Sequence, residues 1–446
     1  MLPLPDVAVP LIMSLSIPFT EPTFNRILVL LAGTILAKGR RTITSVLWIM
    51  RKQAPGHMSD YHRVFSRAPW MLMPLGKILA AAVIQWLPDG PVVVAMDDTT
   101  AQHKGKKVYG KGCHHDAVRS THTHVAYRWG HKWVVLAIVV KLPFASRPWA
   151  LPVLVALYRP RDLNKQEGRR HKTPIMLARG LMSILMRWFP EKQFIFLGDG
   201  GYASHELASF CRRHRRQATL VSRYYGDAVL HDPPKKHTGR GRPRVKGKRR
   251  ESPETVVAAG RLRKATVDWY GATTRDVKIK SDQGHWYKSG GGLVPIRWVF
   301  VRDDTGTRRD EYYYTTAPSL TPERIVSLYT MRWPIETTFQ EVREHLGFET
   351  TRQRVANSVL RAGPCLLGLF TLVSLIYAEQ TRRGVHRLCD RPGYHKTEPT
   401  FSDAIAEVRR LFWTETIFRQ PYFHKTFNKW PPKLKALLLD YLTQAV

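Results

Sequence analysis

The chain has 446 residues, 43% of them hydrophobic, which is enough for roughly two to four domains with real apolar cores. Seventy lysines and arginines against thirty-five aspartates and glutamates give a formal net charge of +35, which predicts a polyanionic partner, nucleic acid above all. A membrane surface or an acidic protein would also match this charge, but the basic residues are spread through folded-looking segments and form no single anchoring tail. The four cysteines include no CxxC pair, which argues against a disulfide framework or a cysteine zinc site and favours a reducing cytoplasm.

Residues 1–88 are predicted to form an N-terminal helical DNA-binding domain. Apolar stretches at residues 24–36 and 43–50 are separated by a basic turn in which Thr42 can cap the second helix. The pattern is compatible with a helix-turn-helix that presents a basic cluster to a duplex: Arg40, Arg41, Arg51 and Lys52. A small helical bundle with a solvated basic face fits the same pattern. Prolines interrupt the first apolar run and no basic segment precedes it, so a signal peptide is not predicted.

Residues 89–222 consist of short apolar runs bounded by turns, which predicts a mixed α/β unit. Its second and third strands are predicted to form a hairpin that turns at Trp129-Gly130. The predicted elements are strands at 92–96, 121–127 and 131–142, a helix at 174–188, a strand at 193–197, a helix at 204–215 and a strand at 218–222. This is the order of an RNase H-like core, a mixed five-stranded sheet whose first and fourth strands are parallel neighbours. Asp97 and Asp199 follow those two strands, at the edge where ligands bind in open α/β sheets.

Residues 223–316 are predicted to be a β-rich insertion into this core. The insertion begins with a basic run, KKHTGRGRPRVKGKRR, which is expected to be a mobile loop, and continues with candidate strands at 261–270, 275–279, 296–301 and 311–315. Within the run, Arg240-Gly241-Arg242-Pro243 resembles the core of an AT-hook, which lies in a narrow A·T minor groove. A disordered loop that touches phosphates nonspecifically is the alternative.

The core is predicted to resume at residues 317–380, and residues 381–446 are predicted to be a C-terminal helical region. The nearly uncharged run at 362–378 is short for a membrane span and contains glycine and proline, so a buried helix and no membrane are expected.

The segment YTMRWPIETTFQEVR, residues 329–343, concentrates charge and aromatic side chains. Four of its side chains fall on one side of a helix: Tyr329, Arg332, Glu336 and Arg343. Pro334 predicts a break, because proline removes a helical hydrogen bond. One helix is therefore expected to begin after Thr321 as its N-cap and to end near residue 331, and a second to begin with Pro334 in its first turn. An amphipathic surface helix with solvated ion pairs is the alternative.

Asp97, Asp199 and Glu336 together form a candidate metal-binding triad. Phosphodiester cleavage by in-line displacement is served by two divalent metals about 3.5 to 4 Å apart, which activate the attacking oxygen and stabilise the leaving one. Carboxylate oxygens favour two Mg²⁺ ions, with Mn²⁺ as a substitute. Asp98 is an alternative first ligand. A single strand-end aspartate is usually a turn residue, but three acids in this order on a basic chain predict a metal-dependent nuclease.

The residues around these acids resemble the DDE transposases of bacterial insertion sequences over roughly residues 90–380. The resemblance rests on Asp97-Asp98-Thr99 after one apolar strand, on Gly198-Asp199-Gly200-Gly201-Tyr202 after another, and on residues 329–343 after a β-rich insertion. The family signature is tyrosine, arginine, glutamate and lysine with two, three and six intervening residues. Tyr329, Arg332 and Glu336 match it, whereas Arg343 stands where the family commonly has lysine, which keeps the charge but exchanges a point ammonium for a planar fork.

The resemblance implies roles for these residues and a reaction. Asp97, Asp199 and Glu336 correspond to the catalytic metal ligands, and Tyr329, Arg332 and Arg343 to residues that hold DNA phosphates near the cut. Water would open a strand at the transposon end, and the freed 3′-hydroxyl would attack target DNA in cut-and-paste transposition. The implied partner is double-stranded DNA, both the terminal inverted repeats and the target, bound by a homodimer at the nucleoid in the bacterial cytoplasm. The alternatives are an RNase H-like nuclease without strand transfer and a domesticated DNA-binding protein.

Two further features near the acids are candidate DNA contacts. A basic loop after Asp97 is expected to track the scissile strand through three lysines: Lys104, Lys106 and Lys107. Trp333, beside Arg332, is either a stacking platform for an extruded base or a buried anchor of the helix.

Overall fold

A computed structural model describes residues 2–116, 120–121, 123–235, 241–385, 387–388, 393 and 395–444. Eleven strands within them form one mixed sheet. The strands are β1 Val92–Gln102, β2 Gly112–His115, β3 Tyr127–Val140, β4 Trp149–Tyr158, β5 Phe194–Gly198, β6 Ala218–Arg223, β7 Leu230–His231, β8 Arg263–Trp269, β9 Thr273–Lys288, β10 Gly292–Arg302 and β11 Glu311–Thr315.

Helices cover the sheet and make up both ends of the chain. They are α1 Val9–Ser14, α2 Glu21–Leu36, α3 Ile43–Met50, α4 Met58–Ser66, α5 Leu72–Ile84, α6 Arg161–Gln166, α7 Pro174–Trp188, α8 His205–Arg213, α9 Pro253–Ala259, α10 Pro322–Thr330, α11 Pro334–Leu346, α12 Ala356–Arg382, α13 Phe401–Leu411, α14 Pro421–Lys429 and α15 Pro432–Thr443. Helices α5, α7, α11 and α12 pack on β4, the outer strand of the central region, and α11 also contacts β1.

The centre of the sheet has the strand order β4-β3-β1-β5-β6. Strand β3 is antiparallel to both β4 and β1, whereas β5 is parallel to both β1 and β6. Residues 92–95 pair with residues 194–197, so the predicted parallel pairing of the first and fourth core strands is confirmed. The fully buried apolar residues of β1 and β5 fit strands covered on both faces.

The predicted hairpin turn at Trp129-Gly130 is wrong. Strand β3 runs straight through these two residues, and its hairpin partner is β2. Glycine is needed at residue 130 for close strand approach rather than for a turn, because a Cβ there would lie 2.0 Å from the Ala101 carbonyl oxygen.

The third core strand is β4, which the sequence analysis did not predict. Its interior Pro152 argues against a strand, since proline cannot donate to the ladder. The structure accommodates it at a register shift, where Ala137 pairs with Pro152 and Leu136 pairs with Leu154.

The four strands predicted for the insertion are present as β8 to β11. They extend the central sheet, because β11 pairs with β6 and the order continues through β10 and β9. The end of the basic run is held against these strands: Arg250 forms ion pairs with Asp232 and Asp282, and Lys246 lies 4.7 Å from the ring centroid of Tyr287. Residues 236–240 of the run lie outside the described residues.

The predicted helix boundaries around residue 334 are confirmed. The Thr321 hydroxyl accepts a hydrogen bond from the Arg324 amide and caps α10, which ends at Thr330, and α11 begins at Pro334. The Thr42 hydroxyl likewise caps α3 by accepting from the Ser45 amide.

The apolar run at 362–378 lies within α12 and is a buried helix, as predicted. By length and composition α12 is able to cross a membrane, but 72% of its most apolar window is buried inside the protein. Gly363 packs directly on the Trp133 indole of β3, which places α12 in the core.

Candidate active site

Asp97 lies inside β1, not after its end as predicted. The parallel pairing with β5 stops at Ala95, but β1 continues along β3 as far as Gln102. Because side chains alternate along a strand, Asp97 and Thr99 share one face and Asp98 points to the other. Asp98 forms an ion pair with Lys132 of β3 at 2.9 Å. The alternation therefore separates the two acids and directs only Asp97 towards α10 and α11.

Asp199 follows β5 directly and caps a short 3₁₀ turn over residues 200–202. Its Oδ1 atom accepts a hydrogen bond from the Gly201 amide at 2.9 Å, and its carbonyl oxygen accepts one from the Ser222 hydroxyl at 2.8 Å. These bonds fix Asp199 at the carboxyl end of the strand beside β1. There its charge raises the pKa values of both Asp97 and Asp98.

Glu336 stands in the first turn of α11, where the positive end of the helix dipole favours a carboxylate. Arg332, in the break before α11, joins it to Asp97. Its Nη1 atom donates to Asp97 Oδ2 at 2.6 Å, and its Nη2 atom donates to Glu336 Oε1 at 2.7 Å. Asp97 and Glu336, 239 positions apart in the sequence, thus lie within reach of one guanidinium.

The electrostatics of this cluster are those of excess buried negative charge. The pKa of Asp97 is raised to about 8, chiefly by burial and in part by the charges of Asp199 and Asp98, against the opposing charge of Arg332. Burial would lower the pKa of Arg332, but electrostatic interactions with Asp97, Tyr329 and Glu336 outweigh the burial and raise the pKa. The charge of Arg332 therefore does not offset the burial of Asp97, and a further positive charge would stabilise the site.

The acids fit a divalent metal by their chemistry. Carboxylate oxygens are the ligands that Mg²⁺ and Mn²⁺ prefer, and the raised pKa of Asp97 marks a deficit of positive charge. Arg332 separates Glu336 from Asp97, so the triad is not drawn together as closely as a loaded site requires. Within the described part of the chain, the group of three potential ligands that meets within 4.8 Å is a different one, Glu341, Glu344 and His345 on successive turns of α11.

A protein family described as DDE superfamily endonucleases matches residues 15–276, more than half of the chain. The chain belongs to this family. The matched region contains Asp97 and Asp199 and ends before Glu336. A solved structure described as a cryo-EM structure of the piggyBac transposase synaptic complex with hairpin DNA is similar to it with a TM-score of 0.42 and 12% sequence identity, covering 99% of this chain and 81% of that one. No curated protein matches the sequence.

The three residues expected to hold phosphates all contact other residues of the protein. Tyr329 is 5% exposed and stacks on Tyr313, with ring centroids 4.0 Å apart, and burial raises its pKa to about 12. Arg332 is buried between the acids. Arg343 is half-buried and donates from Nη2 to the Thr99 hydroxyl. A phosphate contact by Tyr329 or Arg332 therefore requires a rearrangement of these residues, whereas Arg343 lies at the rim.

Trp333 is 41% exposed, so it is not the buried anchor that was one of its two expected roles. Its ring makes an edge contact with Tyr270 at 5.9 Å between centroids, and the Arg308 guanidinium lies 3.8 Å from the Tyr270 ring and 5.4 Å from the Trp333 ring. The three side chains form a cation–aromatic group at the start of the Glu336 helix.

Most of the predicted basic contacts are exposed. Those with exposed side chains are Lys104, Lys106, Lys107, Arg40 and Arg242. Arg240 lies outside the described residues. The prediction that Arg41 contacts DNA is wrong. Arg41 is 8% exposed, and its guanidinium donates to the carbonyl oxygens of Lys38, Gly39 and His345. These bonds use Arg41 to fasten the α2–α3 turn to the end of α11 rather than to face a duplex.

Three residues of the candidate site are not predicted from the sequence. Lys132 neutralises Asp98, but the wrong turn at residues 129–130 hid its position opposite β1. Tyr202 is buried among the acids, and burial and the charges of Asp98, Asp97 and Asp199 raise its pKa. It stands in the Gly-Asp-Gly-Gly-Tyr segment, so its proximity to Asp199 was available from the sequence. Arg308 comes from a loop of the insertion and carries no sequence signal that places it beside Trp333.

Proposed function

We propose that this protein is a DDE transposase with an RNase H-like core that cuts transposon ends and joins them to target DNA. The observation that carries the proposal is the Arg332 bridge between Asp97 and Glu336, with Asp199 at the end of the neighbouring parallel strand. These contacts support the proposal that three acids, from β1, from the end of β5 and from α11, form one site. The sheet order β4-β3-β1-β5-β6 supports the RNase H-like assignment.

Asp97, Asp199 and Glu336 are the residues that would hold Mg²⁺, with Mn²⁺ as a substitute. When bound, two such ions activate the attacking oxygen and stabilise the leaving oxygen of the phosphodiester. The chain's own residues prepare the site. Arg332 holds the carboxyl groups of Asp97 and Glu336 on its guanidinium, and the Gly201 amide orients Asp199.

Asp97, not Asp98, is the proposed first ligand. Strand alternation puts Asp98 on the opposite face of β1, where its carboxylate pairs with the Lys132 ammonium. Arg332 reaches only the Asp97 side.

The proposed DNA path runs over the exposed basic and aromatic side chains around these acids. Arg343 at the rim, Trp333 and the loop lysines Lys104, Lys106 and Lys107 would contact the strand that is cut. The proposed organisation has residues 1–88 bind the terminal inverted repeats with Arg40, and the insertion at 223–316 reach DNA with Arg240 and Arg242. Cutting two ends together calls for a homodimer on DNA, and the setting is the bacterial nucleoid.

The test is a cleavage and joining assay with labelled element ends, supercoiled plasmid as target and Mg²⁺. The parent protein should nick the end and join its 3′-hydroxyl to plasmid, and Asp199→Ala should do neither while binding the labelled end as well as the parent. Asp162→Ala, which removes an exposed aspartate on α6, is the matched control and should behave as the parent.

Each of the other possible results would indicate a different function for this protein. Cutting without joining would indicate a nuclease that lacks strand transfer. Binding without cutting would indicate a DNA-binding protein, and a fully active Asp199→Ala variant would remove the assignment of the acids.

A further inference from the structure

A groove between the two ends of the chain lies outside the acid site. It is bordered by α2, α3 and the turn after α3 on one side and by residues around the start of α14 on the other. We call it the terminal groove. Its described lining includes four cations, Arg26, Lys38, Arg51 and Lys52, and no acidic residue. Asp60, which forms an ion pair with Arg26 at 3.7 Å, is not part of the lining.

Two aromatic side chains stand open in this basic groove. Trp48 is 68% exposed and Tyr422 is 67% exposed. Each is accompanied by a cation: the Arg51 guanidinium lies 4.8 Å from the Trp48 ring, and the Lys52 ammonium lies 4.0 Å from the Tyr422 ring. An open aromatic ring beside a cation is the arrangement with which proteins stack on unpaired bases and hold the adjoining phosphates.

The groove also carries buried polar atoms without a hydrogen-bond partner among the described residues. They are the Oδ1 atom of Asn25, the Nε atom of Arg26 and the Nε1 atom of Trp413. Buried polar groups in folded proteins are nearly always paired, so an unpaired acceptor and two unpaired donors in one groove indicate groups that a ligand satisfies. Base edges offer both donors and acceptors.

The backbone at one edge of the groove is strained. Arg51 has φ 43° and ψ −114°, a conformation that side-chain-bearing residues rarely adopt. Strain of this kind persists where the surrounding structure needs the residue in one place, and it concentrates at binding sites. Here it holds the Arg51 guanidinium over Trp48.

We propose that the terminal groove binds an unpaired segment of DNA, with phosphates on its cations and bases stacked on Trp48 and Tyr422. Duplex DNA keeps its base faces stacked inside, so the two open rings favour a single strand over a duplex. The choice of DNA over an acidic peptide rests on the proposed function, and the groove itself is separate from the acids.

The test is binding of a short fluorescein-labelled oligothymidylate, followed by fluorescence anisotropy in EDTA so that no cleavage occurs. Trp48→Ala and Tyr422→Ala should each weaken binding roughly tenfold, the size expected for one lost base–aromatic stack. Binding of a blunt duplex should change by less than about twofold. Tyr441→Ala is the matched control: Tyr441 is 70% exposed under the Lys38 ammonium but does not line the groove, and its loss should leave oligonucleotide binding unchanged.

A charge series tests the cations of the groove. Lys52→Gln should lower the salt dependence of oligonucleotide binding by about one phosphate contact. Lys425→Gln, which changes an exposed lysine on α14 outside the lining, should not.

Two results would overturn the proposal: oligothymidylate binding that is unaffected by Trp48→Ala and Tyr422→Ala, or duplex binding that is weakened as much as single-strand binding. Displacement of the oligonucleotide by polyglutamate at equal charge would assign the groove to an acidic peptide instead. Asp199→Ala should bind the oligonucleotide like the parent, so failure of the acid site and failure of the groove are separable.

Discussion

Asp97 in the central sheet, which is largely buried, and Asp303 in the insertion, which is fully buried, both face an arginine. Asp97 Oδ2 lies 2.6 Å from Arg332 Nη1, and Asp303 Oδ2 lies 2.8 Å from Arg275 Nη1. Their pKa values nevertheless move in opposite directions, to about 8 for Asp97 and to about 2 for Asp303. A buried aspartate–arginine pair alone therefore does not reveal whether a site is structural or functional.

Asp303 is fully satisfied by its own loop. Burial alone would raise its pKa, but hydrogen bonds from Thr307, Thr305 and Arg275 lower it. These donors come from one tight turn between β10 and β11 and its neighbour β9. The pair thus stabilises the turn and leaves no unmet charge.

Asp97 has fewer donors and more negative neighbours. It receives the shared Arg332 guanidinium and the Asp98 amide, while Asp199 and Asp98 add negative charge beside it. The comparison indicates that a carboxyl in a cation-binding site differs from a structural one by having too few donors and positive charges around it. A bound cation would supply the positive charge that is missing.

The largest expected effect is a difference in DNA cleavage between variants of the two aspartates. Asp97→Asn should reduce DNA cleavage by at least about a thousandfold, because it removes a proposed metal ligand. Asp303→Asn should retain cleavage per folded molecule. Cleavage rates of both variants, normalised to folded protein by circular dichroism, provide the measurement. Equal losses in the two variants would contradict the distinction.

Much of the central sheet is predictable from sequence because its strands are short apolar runs buried on both faces. The parallel pairing of β1 with β5 and the helix break at Pro334 follow from local signals of this kind. Strand β4 does not, since Pro152 in its interior is permitted only by a register shift against β3 that no local pattern reports. Gly130 suggests a turn in the sequence, but glycine is needed there because Ala101 approaches closely from another strand, which no local pattern reports.

The candidate site divides in the same way. The three acids and Arg332 stand out by residue type and spacing, but their ion pairs depend on side-chain direction. The sequence alone leaves Asp97 and Asp98 as alternatives for the first ligand, and strand alternation together with the Asp98–Lys132 ion pair supports the proposal of Asp97. The sequence predicts Arg41 as a DNA contact because a basic turn usually faces solvent. In the structure its guanidinium instead donates to the His345 carbonyl oxygen at the end of α11.

The second prediction concerns stabilisation of the protein by a metal ion that supplies positive charge beside Asp97. Mg²⁺ or Mn²⁺ should raise the thermal midpoint of the parent, because a metal at one hundred times its dissociation constant stabilises a protein by about 2.7 kcal/mol. The raised pKa means that the folded protein holds a proton that metal binding must release. The rise in midpoint should therefore be larger at about pH 8 than at about pH 6.

Two variants make the metal experiment decisive. Asp97→Asn should lose the metal-induced rise and its pH dependence. Asp303→Asn should keep both, because its loop holds no unmet charge. A rise that survives in Asp97→Asn would place the metal elsewhere, with the Glu341, Glu344 and His345 group as the next site to vary.

The smallest effect is the acid stability of the Asp303 turn. Its folded pKa is depressed below the unfolded value of about 3.9, so its stabilisation is present above about pH 4 and is lost as the pH falls towards 2. Asp303→Asn should therefore cost about 1 to 3 kcal/mol of unfolding free energy near neutral pH, and this difference from the parent should shrink in acid. Urea unfolding across that pH range measures it. Asp304→Asn is the matched control, because the neighbouring Asp304 is 49% exposed and its ion pair with Lys278 at 3.0 Å contributes less than about 1 kcal/mol. If both variants lost stability equally and without pH dependence, the turn would owe its stability to packing, and Asp303 would no longer be the satisfied counterpart of Asp97.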